Sequence, residues 1–539
     1  MIARVIAVKR QIRWALVGAL CWVVLPSFAL AWSDPLSKEE RLGRTIYHLG
    51  EAEGTEEIRA QVSGAREFLP ATLFRCAQCH GVRGEGTQEG GLRVPSLTPY
   101  ALRHATDSSQ TGHHRAPYTA ETLARAIREG LDASGRPLHL SMPRYRMTPV
   151  QLAAVVAYLT QIGEEVDTDP GITATTISVG TVLPLSGPLA QIGEDVRAIL
   201  SGALSRVNER GGVYGRQLRL VVEDSAGDPE RTAAATARLI EQQQVFALLG
   251  SFLPSGDSAL PQLLQHRQVP LIGPLALSPR LSDPPHPAMF YSLPGFGLQF
   301  RALVDFVVGR AMELTGTARP ALAVIHAEGS ENVEALQSVR RQAVHDGLAI
   351  VVDQEFQPGR LDAEPLVMQL KQRGIDALVF LGDGQDLSAL GTELDRQGAA
   401  PLLLSAVNMV GPRVRTLPAS LLPRVLLTAS LPPPTQRDLD QVMALAGFDR
   451  ISSVGFGRMA HIAASMLVEA LMRAGRQLSR TTLIEALESF RDQEAGQGDA
   501  LTFGPQRRLG TFRSLVLGWA PDAPHLVPVS GWILPAGDP

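Results

Sequence analysis

The alternation of apolar and polar positions divides the chain into two regions of different character. Over residues 38–163 the pattern is helical. Residues 38–63 read as a leading helix and a polar connection, 120–131 as an amphipathic helix, and 147–162 as a closing helix. Residues 164–174 (EEVDTDPGITA) are acidic, then Pro-Gly, with no apolar period, which marks a linker. From 175 to 535 short apolar runs alternate with helical ones, the sign of parallel α/β lobes. Strands are predicted at 176–183, 218–223, 245–249, 269–272, 321–325, 349–353, 377–381, 402–404 and 425–428. Helices are predicted at 193–210 and 231–243, the first ended by Gly211-Gly212.

The first 31 residues have the layout of an export signal. Arg4, Lys9, Arg10 and Arg13 precede an apolar run from Trp14 to Leu25, and Ala29-Leu30-Ala31 gives a small-x-small cleavage site. The rival reading is a retained membrane anchor, but the run is short and broken by Pro26. Cys21 lies inside it, and Leu20 fits a lipoprotein processing site poorly. Cleavage after about Ala31 would deliver the mature chain to the periplasm.

Length and composition add bounds. The 539 residues suit three or four domain-sized units, and 45% apolar content suits ordinary folded cores. Loss of the signal moves the formal charge from −4 to −8, which argues against nucleic acid and anionic membranes as partners. A small, basic redox partner is compatible. Of three cysteines only Cys76 and Cys79 remain, and these are not expected to form a structural disulfide.

Those two cysteines stand in Phe74-Arg75-Cys76-Ala77-Gln78-Cys79-His80-Gly81, the C-x-x-C-H signature of c-type haem attachment. Thiols one helical turn apart can add to the two vinyl groups of one porphyrin, and the next side chain then supplies the proximal imidazole. The alternatives are a redox dithiol, which leaves His80 unexplained, or half of a zinc site. Zinc would need further ligands, and no Cys remains outside the N-terminal run. A loop from Gly81 to Gly91 follows, with Gly84, Gly86 and Gly90 letting backbone approach a flat cofactor closely.

With CAQCHG, the glycine loop and Met142-Pro143-Arg144-Tyr145 in place, about 120 residues resemble the class I monohaem cytochromes c. The resemblance implies an all-α domain with one covalently attached haem c. It also implies that the Pro95 carbonyl orients His80, an ordinary turn being the alternative for that proline, and that Met142 is the second axial ligand. His139 is a rival ligand, and Met147 falls where the family has a core residue at a helix start.

In the second region, PLSGPLA (184–190), NERGGVYG (208–215), EDSAGDP (223–229), Leu249-Gly250-Ser251 and Val269-Pro270-Leu271-Ile272 occur in order. Together they are similar to the type I periplasmic substrate-binding proteins of branched-chain amino acid and amide uptake. This implies two α/β lobes with three crossings, expected near 291–295, 428–434 and 504–512, closing on a small molecule. Ligands of open α/β sheets sit at the carboxyl ends of strands, which directs attention to Ser186, Ser251, Ser255, Ser278, Asp383, Gln385 and Asn408. For Ser186 and Ser251 plain helix capping is the alternative. The chain departs from the amino-acid binders: Ile192 replaces an aromatic, and Leu277 stands beside Ser278 where the family has a hydroxyl. Glu331 aligns with a tyrosine, and Val407 or Asn408 with the acid that grips the ammonium. Branched-chain amino acid recognition therefore does not carry over.

Asp224, Asp228 and Asp383 sit at strand ends where turn and cap roles are the default, and no hydrolytic constellation emerges. The expectation is an electron carrier and solute-binding protein, not an enzyme, though a place as a subunit of a dehydrogenase system stays open. Its redox partner would be a periplasmic dehydrogenase, a quinoprotein among them, or another cytochrome; its solute a small carboxylate or amide. The alternatives are an ABC uptake component, delivering solute to a permease with an accessory haem, and a redox or ligand sensor.

Overall fold

The computed structural model describes residues 36–537 apart from 53–55, 63–66, 90–91, 109–112, 165–166, 255–259, 277–278, 280–283, 449 and 520–524. The segment read as an export signal, together with Ser255 and Ser278, lies outside the described residues. The chain separates into two compact units, one up to Asp167 and one from Thr168. No helix among the described residues is long and apolar enough to cross a membrane.

In the first unit α1 (Lys38–Leu49) starts at a capping box, in which Glu40 N–H donates to Ser37 Oγ and Ser37 N–H donates to Glu40. It ends at Gly50, in the left-handed region at φ 74°. The haem-motif helix α2 (Cys76–His80), α3 (Ala120–Glu129) and α4 (Pro149–Tyr158) complete the frame. Thr148 caps α4 and Pro149 occupies its first turn, so the helix starts just after Met147. Ile46 and Tyr47 from α1 and Val155 and Tyr158 from α4 form the centre of the core. Gly43 permits this approach, because a Cβ there would lie 1.9 Å from the Ala154 carbonyl oxygen. The region read as a polar connection also contains a strand, β1 (Arg59–Gln61), which pairs antiparallel with β2 (Leu69–Pro70) and β3 (Arg144–Arg146).

The second unit holds two sheets. The first takes the order β8-β7-β6-β4-β5, built from β4 (Thr176–Leu183), β5 (Gln217–Asp224), β6 (Ala247–Leu249), β7 (Leu271–Ile272) and β8 (Met289–Phe290), all parallel. The second takes the order β10-β9-β11-β12-β13-β14-β15. Its parallel part is β9 (Leu322–Ala327), β10 (Ile350–Phe356), β11 (Ala377–Leu381), β12 (Leu402–Ala406) and β13 (Val425–Ala429). β14 (Leu515–Trp519) and β15 (Leu526–Pro528) close it antiparallel. The inner strands β6, β7, β11, β12 and β13 are buried along their whole length because both faces are covered, whereas the edge strands β5 and β10 carry polar, partly exposed positions.

The chain passes between the lobes three times. Helices α5 (Ala190–Glu209) and α6 (Pro229–Glu241) belong to the first lobe, and α7 (Phe296–Gly309) opens the second. After β13 the chain returns to the first lobe, where α9 (Gln436–Ala446), α10 (Val454–Ala474) and α11 (Arg480–Glu488) share a core with Phe246, Phe290 and Phe503. α8 (Gly384–Arg396) follows β11 in the second lobe. Two of the crossing segments are hydrogen-bonded to each other: Tyr291 N–H donates to Arg508 O at 2.9 Å and Gly510 N–H to Tyr291 O at 2.8 Å. Arg508 secures this junction. It pairs with Glu488 at 2.6 Å, donates to Pro287 O at 3.0 Å and lies 4.6 Å over the Phe290 ring.

Candidate functional sites

Helix α2 places Cys76 and Cys79 one turn apart, both as free thiols, with His80 as its last residue. Cys76 is half-buried and its thiol is pushed up to about 11 by burial, whereas Cys79 is exposed. His80 is only 5% exposed, and its Nδ1–H donates to the Pro95 carbonyl at 2.9 Å. A carbonyl can only accept, so Nδ1 carries the proton and Nε2 is left as the coordinating nitrogen. Burial lowers the His80 pKa although the Pro95 bond works against it, which favours the neutral imidazole that a metal requires.

The loop after the helix is stitched back onto it. Gly86 N–H donates to His80 O at 2.8 Å, Leu97 N–H to Gly84 O at 2.7 Å, and Thr87 Oγ1 to Cys79 O at 2.8 Å. Gly86 has φ 80°, and a Cβ there would meet the Val94 carbonyl at 2.6 Å, so both conformation and space demand glycine. Tyr47, fully buried, donates to the carbonyl of Gly81 at 2.7 Å, and Tyr145 donates to Phe74 O at 2.6 Å. These two tyrosines grip the motif from either end. Tyr47 was not singled out from sequence, and Tyr145 entered there only as the last residue of the Met142-Pro143-Arg144-Tyr145 segment.

Met142 is half-buried and packs against the same apolar cluster as Cys76 and Ala77. His139 is exposed, and its Nδ1 accepts the N–H of Ser141 at 3.2 Å. Met147 is half-buried against the core just before the α4 cap. Two thiols, a tautomer-fixed imidazole and a half-buried thioether form a donor set that fits a c-type haem.

In the larger unit the candidate solute residues stand at the carboxyl ends of strands. Ser186 follows β4, Ser251 follows β6, Asp383 and Gln385 follow β11, and Asn408 follows β12. Ser186, Asp383, Gln385 and Asn408 are exposed; Ser251 is buried, and its Oγ accepts Val182 N–H at 3.2 Å. Asp383 caps α8, accepting from Gln385 N–H at 2.7 Å and Asp386 N–H at 2.9 Å. Ser186 is not a helix cap: its hydroxyl donates to Asp224 at 2.6 Å. Asp224, read from sequence as a turn residue, is the centre of that loop.

The two units thus define a haem-type electron-carrier domain and a two-lobed solute-binding fold. Comparison with known proteins agrees. The cytochrome c family model matches residues 70–163, and the periplasmic binding protein model matches residues 176–511. The second match spans more than half of the chain, so the chain belongs to the periplasmic binding protein family and carries a cytochrome c domain ahead of it. It is 24% identical over 225 residues to a leucine-, isoleucine-, valine-, threonine- and alanine-binding protein of Pseudomonas aeruginosa, covering 42% of this chain and 58% of the relative. It is 24% identical over 237 residues to Leu/Ile/Val-binding protein homolog 3 of Brucella melitensis, covering 43% and 61%. The chain therefore spans about three fifths of the length of these curated relatives. Among solved structures, a branched-chain amino acid ABC transporter protein from Thermus thermophilus with bound valine has TM-score 0.55 at 19% identity, covering 68% of this chain and 98% of its own. A fatty acid ABC transporter substrate-binding protein from Thermomonospora curvata has TM-score 0.55 at 21% identity, covering 68% and 95%. At these identities the likeness shows the fold.

Proposed function

We propose that the chain is an exported electron-transfer protein whose larger unit binds a small solute and ties solute recognition to a periplasmic oxidation system. One haem c would be held by Cys76 and Cys79 through its vinyl groups and by His80 and Met142 through its iron. When bound, it supplies a one-electron couple. The observation that carries the reading is the hydrogen bond from His80 Nδ1–H to Pro95 O, which fixes the ring and raises the basicity of Nε2. Met142 would supply the second protein ligand to the haem iron, which would leave small gaseous ligands no open site. The redox partner is a periplasmic dehydrogenase or another cytochrome.

The solute, a small carboxylate or amide, would be held between the lobes by the strand-end residues Ser186, Ser251, Asp383, Gln385 and Asn408, together with Ser255 and Ser278, which lie outside the described residues. A second reading, an ABC uptake component with an accessory haem, is favoured by the names of the relatives, which are amino acid-binding proteins.

The test is a thermal-shift screen of the haem-loaded protein, oxidised and reduced, against carboxylates, amides, amino acids, alcohols and quinone cofactors. A solute preferring one oxidation state supports coupling, since by linkage the potential must then shift with solute. Equal binding in both states reduces the fusion to a tether and favours uptake. A wild-type protein that binds carbon monoxide removes Met142 from the ligand set.

A further inference from the structure

The loop after β4 has the form of an anion site, and the chain itself fills it. Asp224 Oδ1 accepts Leu185 N–H at 2.9 Å, Ser186 N–H at 3.2 Å and Ala226 N–H at 2.8 Å. Its Oδ2 accepts the Ser186 hydroxyl at 2.6 Å, and Arg231 Nη2 lies 3.4 Å away. Converging backbone N–H groups, a hydroxyl and a guanidinium are what a bound carboxylate needs. The backbone is shaped around this carboxylate. Ala226 takes φ 52°, a conformation costly for a residue with a side chain, and it thereby aims its N–H at Oδ1.

We propose that Asp224 is an internal occupant of the anion position in the Ser186 loop, so that it sets the shape of this loop and bars a solute carboxylate from it. The inference rests on the reading of the larger unit as a solute binder and sharpens it. Ser186 becomes a residue that faces the solute with its donors already engaged. A carboxylate end must be held elsewhere, while the neutral or apolar part of a solute can lie against this loop. Asp224 is a positioning residue, because it acts through Leu185, Ser186 and Ala226.

Asp224→Ala empties the position in the full-length protein. The expected result is a lower melting temperature of the larger unit, partly restored by excess sodium formate but not by sodium chloride at equal ionic strength. Wild type should ignore formate. Asp228→Ala, which removes only the cap that accepts Arg231 N–H at 2.8 Å, should be destabilised without formate rescue. An unshifted Asp224→Ala protein, or formate acting alike on all three proteins, overturns the proposal. If Asp224→Ala does not fold, hydrogen exchange on wild type and Asp224→Leu, which keeps the side-chain bulk but offers no acceptor, reads the same loop. Residues 185, 186 and 226 should be protected in wild type and lose protection in the variant while β4 is unchanged; equal exchange in both overturns the proposal. None of these arms uses a solute. Their failure leaves the solute-binding reading standing, whereas a solute panel without a binder removes that reading and the barring role with it, and leaves the hold of Asp224 on the loop.

Discussion

A methyl group added at Gly43 would meet the Ala154 carbonyl oxygen at 1.9 Å, where a carbon ordinarily comes no closer than about 3.3 Å. The atom in the way is backbone, so it cannot rotate aside. Gly43→Ala must therefore push α1 from α4 by roughly 1.4 Å, more than enough to forfeit half of the dispersion energy of a contact. The contacts at stake are those of Ile46, Tyr47, Val155 and Tyr158, all buried. Overpacking of this kind costs about 3 kcal/mol, and the better helix propensity of alanine returns roughly 1 kcal/mol. The net loss of about 2 kcal/mol corresponds to a melting point lower by roughly 8 °C for a unit of this size. Gly309 is the matched control: it ends α7, and a Cβ there would meet nothing within 4 Å. Gly309→Ala should leave stability unchanged or raise it by about 0.5 kcal/mol. The assay is thermal melting of the haem-loaded protein, followed by Soret circular dichroism for the first unit and by calorimetry for the second. A Gly43→Ala protein that melts at or above wild type refutes the packing argument.

Three further outcomes follow from the same physics. Tyr47→Phe removes the donor to the half-buried Gly81 O and should cost about 0.5–1.5 kcal/mol in urea denaturation of the first unit. Arg508→Met strands Glu488 at the lobe junction and should destabilise the second unit by about 3–5 kcal/mol, with Arg508→Met/Glu488→Gln recovering part of the loss. His286 is held below its ordinary pKa by burial and by nearby Arg508, and its Nδ1 accepts Ala288 N–H at 3.2 Å. A depressed histidine means that the folded state binds fewer protons than the unfolded one. Stability is therefore present above the unfolded value near ~6.5 and is lost as pH falls below it. Chemical denaturation at pH steps across that value should show the loss, and His286→Gln should flatten it.

Much of the architecture could be read from the pattern of residues. The strand at 377–381 is an uninterrupted apolar run between Asp376 and Gly382-Asp383, so its ends are sharp in the sequence, and the β-branched residues of 176–183 mark that strand as well. The strands at 515–519 and 526–528 went unread, because the antiparallel pairing of the first onto β13, and of the second onto the first, depends on a return crossing that no local signal marks. Arg59–Gln61 went unread because three residues are too few to establish a period. The attachment motif is legible because its chemistry is local: two thiols and an imidazole within one helical turn. Asp224 is not legible, because its partners in the Ser186 loop lie 38 residues earlier and only sheet pairing of β4 with β5 brings them together. Tyr47 grips Gly81 across 34 residues for the same reason.

The most direct measurement is haem retention on a denaturing gel. The chain would be expressed with c-type maturation and stained for haem peroxidase activity, beside Cys76→Ala, Cys79→Ala and the double Cys76→Ala/Cys79→Ala variant. The account predicts stain travelling with the wild-type polypeptide, losing most of its intensity when either cysteine is replaced and no stain when both are. Haem that leaves wild type under denaturation, or that remains with the double-cysteine variant, would contradict covalent attachment at this motif and with it the electron-transfer reading.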